Sequence, residues 1–238
     1  MVGFEAIWNT ARADLVVATE TGEQDIFLWE HSSRVARNAW QIAMLPEVRG
    51  QSPDEVAVVA AGLYHDASWI MQYRDGEIDR TEILCRPTPK AQRQRGAELL
   101  ERSLGELVPE ESLRRAAATI RELGDREPTL IETRIITDAE NLDEFGMLAF
   151  CPGIVRSAHE GKGVQAAIDT WKRKKEYQFW TARLTDSFHL DAVRKLAEQR
   201  LAKYERAMKE LEEHHTGADI IQAGGGKDAR PAPAKPTL

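Results

Sequence analysis

Apolar residues recur at three- and four-residue spacing along almost the whole chain, the pattern of helices that each bury one face. Leu28, Val35, Ala39 and Ile42 form one stripe behind Asp25, a residue able to cap the helix, and His31 shares that stripe. A break is predicted from Pro46 to Gln51. Ser52-Pro53-Asp54-Glu55 then combines an N-cap serine, a proline at the first helical position and a glutamate three residues after the cap. It launches Val56-Ala57-Val58-Val59-Ala60-Ala61-Gly62-Leu63-Tyr64, apolar on every side, which predicts a central buried helix ending at His65-Asp66. The valines would also suit a strand, but the cap argues for a helix.

Residues 69–86 read as polar and irregular, with a turn at Asp75-Gly76. Thr88-Pro89 starts a helix carrying Leu99, Leu100 and Leu104, and Glu110 to Leu123 is another, stopped by Gly124. Thr129-Leu130-Ile131-Glu132 reads as a second capping box, opening a helix that ends by Gly146. On it Ile131, Ile135, Asp138, Leu142 and Phe145 share a face, so Asp138 stands where leucine would be expected. Beyond a break at Cys151-Pro152-Gly153 come two long helical stretches. Val164, Ile168, Trp171 and Phe179 line the first, with Lys175 among them; Leu190, Val193, Ala197, Leu201, Tyr204, Met208 and Leu211 line the second. The chain reads as all-α, one helical domain over residues 1–215. Residues 216–238, with Gly224-Gly225-Gly226 and a proline-rich end, read as a disordered tail.

Composition narrows this. The 238 residues suit one generous domain, and 42% hydrophobic with 30% charged residues describe a globular protein with a real core. A net charge of -7 argues against broad attraction to nucleic acid or anionic membrane, while leaving room for a local basic pocket that takes a small phosphate compound. Cys85 and Cys151 lack metal-ligand spacing and read as reduced thiols of a cytoplasmic protein. No secretory signal and no apolar run of about 20 residues is visible. Nor is there a glycine-rich phosphate loop or a Gly-x-Ser-x-Gly elbow.

Four polar residues interrupt the predicted core: His31, His65, Asp66 and Asp138. Each has a structural explanation. A histidine on an apolar face is commonly a hydrogen-bonded core residue, Asp138 could pair with Arg34 or Arg37, and His65-Asp66 could be a helix end meeting solvent. Taken together, two imidazoles and two carboxylates on core helices favour one shared metal site.

These residues also carry a resemblance. Trp29-Glu30-His31-Ser32-Ser33-Arg34-Val35-Ala36 resembles the His-x-x-Arg-Val opening of the HD-domain superfamily, and Ala61-Gly62-Leu63-Tyr64-His65-Asp66-Ala67-Ser68 resembles its His-Asp segment. Thr137-Asp138-Ala139-Glu140-Asn141-Leu142-Asp143-Glu144-Phe145-Gly146 is similar to its downstream Asp-Ala-x-x-Leu-Asp-x-x-Gly segment. The resemblance spans roughly residues 24–146 and implies an HD helical bundle. It implies His31, His65, Asp66 and Asp138 as ligands of a divalent metal, and hydrolysis of phosphate esters, often nucleotides. Manganese, cobalt, nickel, iron, zinc and magnesium all suit such ligands. Members with a binuclear centre carry further histidines between the pair and the last aspartate; none lies between Asp66 and Asp138 here, which predicts a single metal. Where many members have a lysine after His-Asp, Ala67-Ser68-Trp69-Ile70 follows.

The expected function is therefore a mononuclear metal-dependent phosphohydrolase acting on a small phosphate ester, foremost a nucleotide. Asp66 is expected to orient water as well as bind metal. Arg34, and the cluster of Lys90 and Arg93 with Arg95 at a helix N-terminus, are the candidates for substrate contact. Asp75 and Glu82 are candidates for proton transfer. The basic and aromatic stretch from Trp171 to Trp180 is assigned to packing and solvated charge, and no nucleic acid or membrane partner is expected. Competing readings are a hydratase, lyase or oxygenase on the same scaffold, and a non-catalytic HD binding module.

Overall fold

The computed structural model describes residues 3–18, 22–84 and 87–223; Cys85 and the glycine- and proline-rich end from Gly224 lie outside them. The chain forms two compact units. The first comprises the residues up to Asp143 with Thr185–Lys195, and the second Glu144–Leu184 with the residues from Leu196 onward.

In chain order the first unit contains α1 (Phe4–Leu15), β1 (Val17–Ala18), β2 (Gln24–Asp25), α2 (Phe27–Ala43), α3 (Pro46–Arg49), α4 (Glu55–Tyr64), α5 (Ser68–Arg74), α6 (Lys90–Leu104), α7 (Glu110–Glu122) and α8 (Ile131–Asn141). The antiparallel pair β1-β2 is the only sheet among the described residues, with Val17 opposite Asp25. The all-α expectation holds.

At the centre lies α4, buried from Ala57 to Tyr64 and packed against α1, α2, α6, α7 and α8. Its closest neighbour is α2. A Cβ added to Gly62 would sit 2.7 Å from the Cα of Ala36, so the missing side chain lets the two backbones touch. This approach has a functional consequence, because α2 carries His31 and α4 ends at His65.

Several local expectations change. The cap of α4 is Asp54, which accepts from Ala57 N at 3.0 Å, rather than Ser52, whose backbone turns to φ 53°. The reciprocal acceptor of a capping box comes from far away: Glu132 on α8 takes the Asp54 N–H at 2.7 Å. Glu132 is fully buried and also pairs with Arg115 at 2.8 Å, so it does not cap α8. Instead Glu122, at the end of α7, accepts from Thr129 N and Thr129 Oγ1, each at 2.6 Å. Pattern alone reports that a carboxylate caps a helix, and tertiary packing decides which one. The Pro46 break holds the short α3. The irregular stretch begins with α5, whose Trp69 and Ile70 are buried, before the expected turn at Gly76 (φ 72°).

The second unit contains α9 (Phe150–His159), α10 (Val164–Glu176), α11 (Phe179–Asp186), α12 (Asp191–Thr216) and α13 (Ala218–Ala223), the flanks of α11 and α12 belonging to the first. Cys151-Pro152-Gly153 is helical, since a proline in the first turn forfeits no helical hydrogen bond. The stretch through Phe179 is two helices, parted at Gln178 (φ 52°). Helix α13 lies just past Thr216. Trp171 and Trp180 are buried and Lys175 pairs with Glu205 at 3.5 Å, as packing and solvated charge require.

Candidate metal centre

His31 on α2, with His65 and Asp66 at the end of α4, converge. His31 Nε2 lies 3.3 Å from His65 Nε2 and 3.5 Å from Asp66 Oδ2, and His65 Nε2 lies 3.4 Å from that oxygen. The corners of such a triangle are about 2.0 Å from its centre, close to the roughly 2.0–2.1 Å of metal–imidazole bonds. These atoms form a group able to hold a metal ion.

Each donor is aimed by a partner behind it. His65 Nδ1 donates to Gly62 O at 2.8 Å, which leaves Nε2 as the lone-pair nitrogen facing the group. His31 Nδ1 lies 3.2 Å from Asp143 Oδ2, and Arg34 grips Asp143 through Nε and Nη2 at 3.0 and 2.8 Å. Thr88 Oγ1 donates to Asp66 Oδ1 at 2.6 Å, leaving Oδ2 for the group. A carboxylate or carbonyl behind each imidazole and a hydroxyl behind the carboxylate are what a metal site needs to fix its ligands. The residues fit a divalent ion.

Charges within the group are strongly coupled. Burial lowers the His31 pKa, but hydrogen bonds to Asp143 and Asp66 outweigh it and push the pKa up to about 9. Burial alone would raise Asp66, yet the neighbouring His65 and the hydrogen bond from His31 hold it below the usual carboxylate range. Asp143 is likewise held down against burial, by His31 and Arg34. A site that draws in a positive charge this strongly is suited to a cation.

Asp138 does not join the group. It is fully buried, and its two oxygens accept from His189 N at 2.8 Å and Leu190 N at 2.9 Å. Burial pushes its pKa up to about 7 despite those bonds. With Asn141 Nδ2 donating to Ser187 O at 2.6 Å, it latches residues 187–190 to α8. The carboxylate of α8 that senses the group is Glu140, two residues on and roughly 200° around the helix. Burial raises its pKa first, and the nearby negative charge of Asp66 adds to that, while His65, His31 and Arg93 oppose. Sequence reasoning chose Asp138 because it interrupts an apolar stripe, but that stripe faces the core. The available signal for Glu140 was its i, i+3 relation to Asp143, the residue behind His31.

Other candidates divide. Arg34 is committed to Asp143, so it orients His31 through that carboxylate and is not free for substrate. Arg37 donates to Ser33 Oγ at 2.9 Å. Lys90 is exposed and pairs with Asp125 at 3.6 Å; Arg95 pairs with Asp75 and Glu77. Arg93 is half-buried beside Gly124 and close enough to act on Glu140. Asp75 is taken by Arg95, and Glu82 accepts from Asp79 N at 2.9 Å in a short 3-10 cap, so neither supplies proton transfer to the group. Thr88, read from sequence only as a helix start, is the hydroxyl that orients Asp66.

The family model for the HD domain matches residues 28–144. The chain is an HD-domain protein. The matched stretch of this HD-domain protein runs from the start of α2 to the end of the segment after α8 and contains the whole group above. Among solved structures, Bacillus subtilis YpgQ in complex with ADP is 21% identical, with 89% of this chain and 97% of that one covered and a TM-score of 0.54. A predicted HD superfamily hydrolase from an uncultured Thermotogales bacterium is 20% identical over 89% and 92%, TM-score 0.54. An HD-superfamily hydrolase from Bacillus thuringiensis is 16% identical over 88% and 95%, TM-score 0.56. At these identities the likeness is one of fold. No curated protein matches the chain. No helix among the described residues is long and apolar enough to cross a membrane.

Proposed function

We propose that this HD-domain protein is a mononuclear, divalent-metal-dependent phosphohydrolase whose substrate is a small phosphate ester, a nucleotide foremost. The observation that carries the reading is the convergence of His31 Nε2, His65 Nε2 and Asp66 Oδ2, each with its own orienting partner. His31, His65 and Asp66 would hold the ion, and Glu140 would complete the set in place of Asp138, whose oxygens are occupied. Such an ion supplies Lewis-acid polarisation of a phosphoryl oxygen and activation of water. The nucleotide preference is supported by the ADP complex of the similarly folded YpgQ.

The chain's own groups have separate tasks. His31 and His65 present unprotonated Nε2 atoms, for which His31 must shed the proton that Asp143 and Asp66 help it retain. Asp66 acts as a ligand through Oδ2, its other oxygen being held by Thr88. Arg93 offsets phosphate charge.

The test is release of phosphate or pyrophosphate from a panel of nucleotides with added Mn2+, comparing wild type with His65→Ala. Release by wild type that His65→Ala reduces by about a hundredfold or more supports the proposal. Equal rates in the two proteins would overturn it.

A further inference from the structure

One turn before Asp138 on α8, Arg134 lines a cavity of about 340 Å3 with Arg126, Glu127 and Pro128, which lead into α8, and His189, which leads into α12. All five residues belong to the first unit, and none is in the metal group or among the partners behind it. On a chain with a net charge of -7 this lining is basic, two guanidiniums and an imidazole against one carboxylate. The cations are uncommitted. No carboxylate among the described residues lies within ion-pair distance of Arg126 or Arg134. Nearby acids are engaged elsewhere: Glu122 accepts from Thr129 and Thr133, and Asp125 pairs with Lys90. Arg134 is also held in place. Its Nε and Nη2 both donate to Pro128 O at 3.1 Å, which occupies one edge of the guanidinium. The Nη1–Nη2 edge has no partner among the described residues. The positive field reaches His189, whose pKa is pushed below its ordinary value by partial burial first and by the charge of Arg134 second. The backbone of His189 is fixed as well, its N–H donating to Asp138 Oδ1 at 2.8 Å.

We propose that this cavity is a second binding site, separate from the metal group, for a phosphate group, free or carried by a small molecule, with Arg134, Arg126 and His189 as its donors. The three come from separate segments and line one cavity. Such a set suits a tetrahedral oxyanion, whose acceptor oxygens point in several directions, whereas a planar carboxylate is matched by a single fork. A guanidinium already fixed along one edge loses little side-chain freedom when its other edge binds. The volume is larger than a phosphate ion and leaves room for a small organic group attached to it. The site is independent of the reaction proposed above.

NMR of the His189 ring proton, assigned by its absence in His189→Gln, reads the site directly. Chelator-treated protein at constant ionic strength is used, so that no metal ion binds the anion. Inorganic phosphate and glycerol 3-phosphate should each shift this resonance saturably, with a Kd of about 1 mM or tighter, and acetate should not. Tighter binding of the ester identifies an organic phosphate as the ligand, and tighter or equal binding of the free ion identifies phosphate itself; either order supports the site. Arg134→Gln and Arg126→Gln should each weaken binding by about tenfold or more, since each removes a charge-assisted donor. Arg114→Gln removes the same charge from an exposed pair with Glu111 and should stay within about twofold of wild type. Should Arg134→Gln lose its helical circular dichroism, Arg126→Gln decides alone, because that side chain is exposed and has no partner among the described residues. No saturable shift in wild type, wild-type affinity in Arg126→Gln or in folded Arg134→Gln, or equal binding of acetate overturns the inference.

Discussion

Thr88→Val removes one hydroxyl and nothing else of consequence. The side chain is 8% exposed, valine has nearly its volume and shape, and the lost contact is the 2.6 Å bond to Asp66 Oδ1. A hydrogen bond to a charged acceptor contributes about 1.5–3 kcal/mol. The partner behind a metal ligand is typically worth about 10–100-fold in metal affinity, or roughly 1.4–2.7 kcal/mol. The two magnitudes agree because they describe the same event: without Thr88 the carboxylate can rotate, and Oδ2 leaves the triangle it forms with His31 and His65. Competition against a chelating dye at fixed pH should therefore give a Mn2+ affinity weaker by about 10–100-fold, with the helical circular dichroism unchanged. Thr88→Ser keeps the donor and should restore most of the affinity. If Thr88→Val binds Mn2+ within about twofold of wild type, the idea that Asp66 is a ligand aimed by Thr88 is wrong.

Two further predictions concern the group itself. Glu140→Ala should lower metal affinity by at least about tenfold while Asp138→Asn leaves it near the wild-type value; the reverse ranking would return the ligand role to Asp138. The second is a pH dependence. The folded pKa of His31, about 9, lies above its unfolded value, so in metal-free protein its contribution to stability is full below about pH 6.5 and is lost as pH rises through 9. An entering ion must displace that proton, so Mn2+ affinity should rise by about one order of magnitude per pH unit from 7 to 8.5. A flat profile over that interval, measured by calorimetry in two buffers of different ionisation enthalpy, would refute it.

Much of the fold was legible because α2, α4, α6, α7 and α8 each bury a face with regular spacing, and the continuous apolar run of α4 marked the centre. The site was legible to the extent that ligands sit where a helix ends: His65 and Asp66 stand out after Tyr64. What stayed hidden depends on helix rotation and on distant partners. Asp138 and Glu140 are two residues apart, and no periodicity says which faces the metal group once α8 is buried on several sides. Likewise Glu132 looks like a capping residue of its own helix and instead caps α4. Thr88 and Gly62 act across the fold, through one hydroxyl and one absent methyl group, and a single sequence holds no record of either contact.

The central claim is that His31, His65 and Asp66 hold one divalent ion. Elemental analysis of protein purified without chelator, then loaded with Mn2+ and freed of excess, tests it directly. The account predicts about one ion per chain in wild type and less than about a tenth of that in His65→Ala of unchanged helicity. No ion in wild type, two ions per chain, or the same content in both proteins would contradict it.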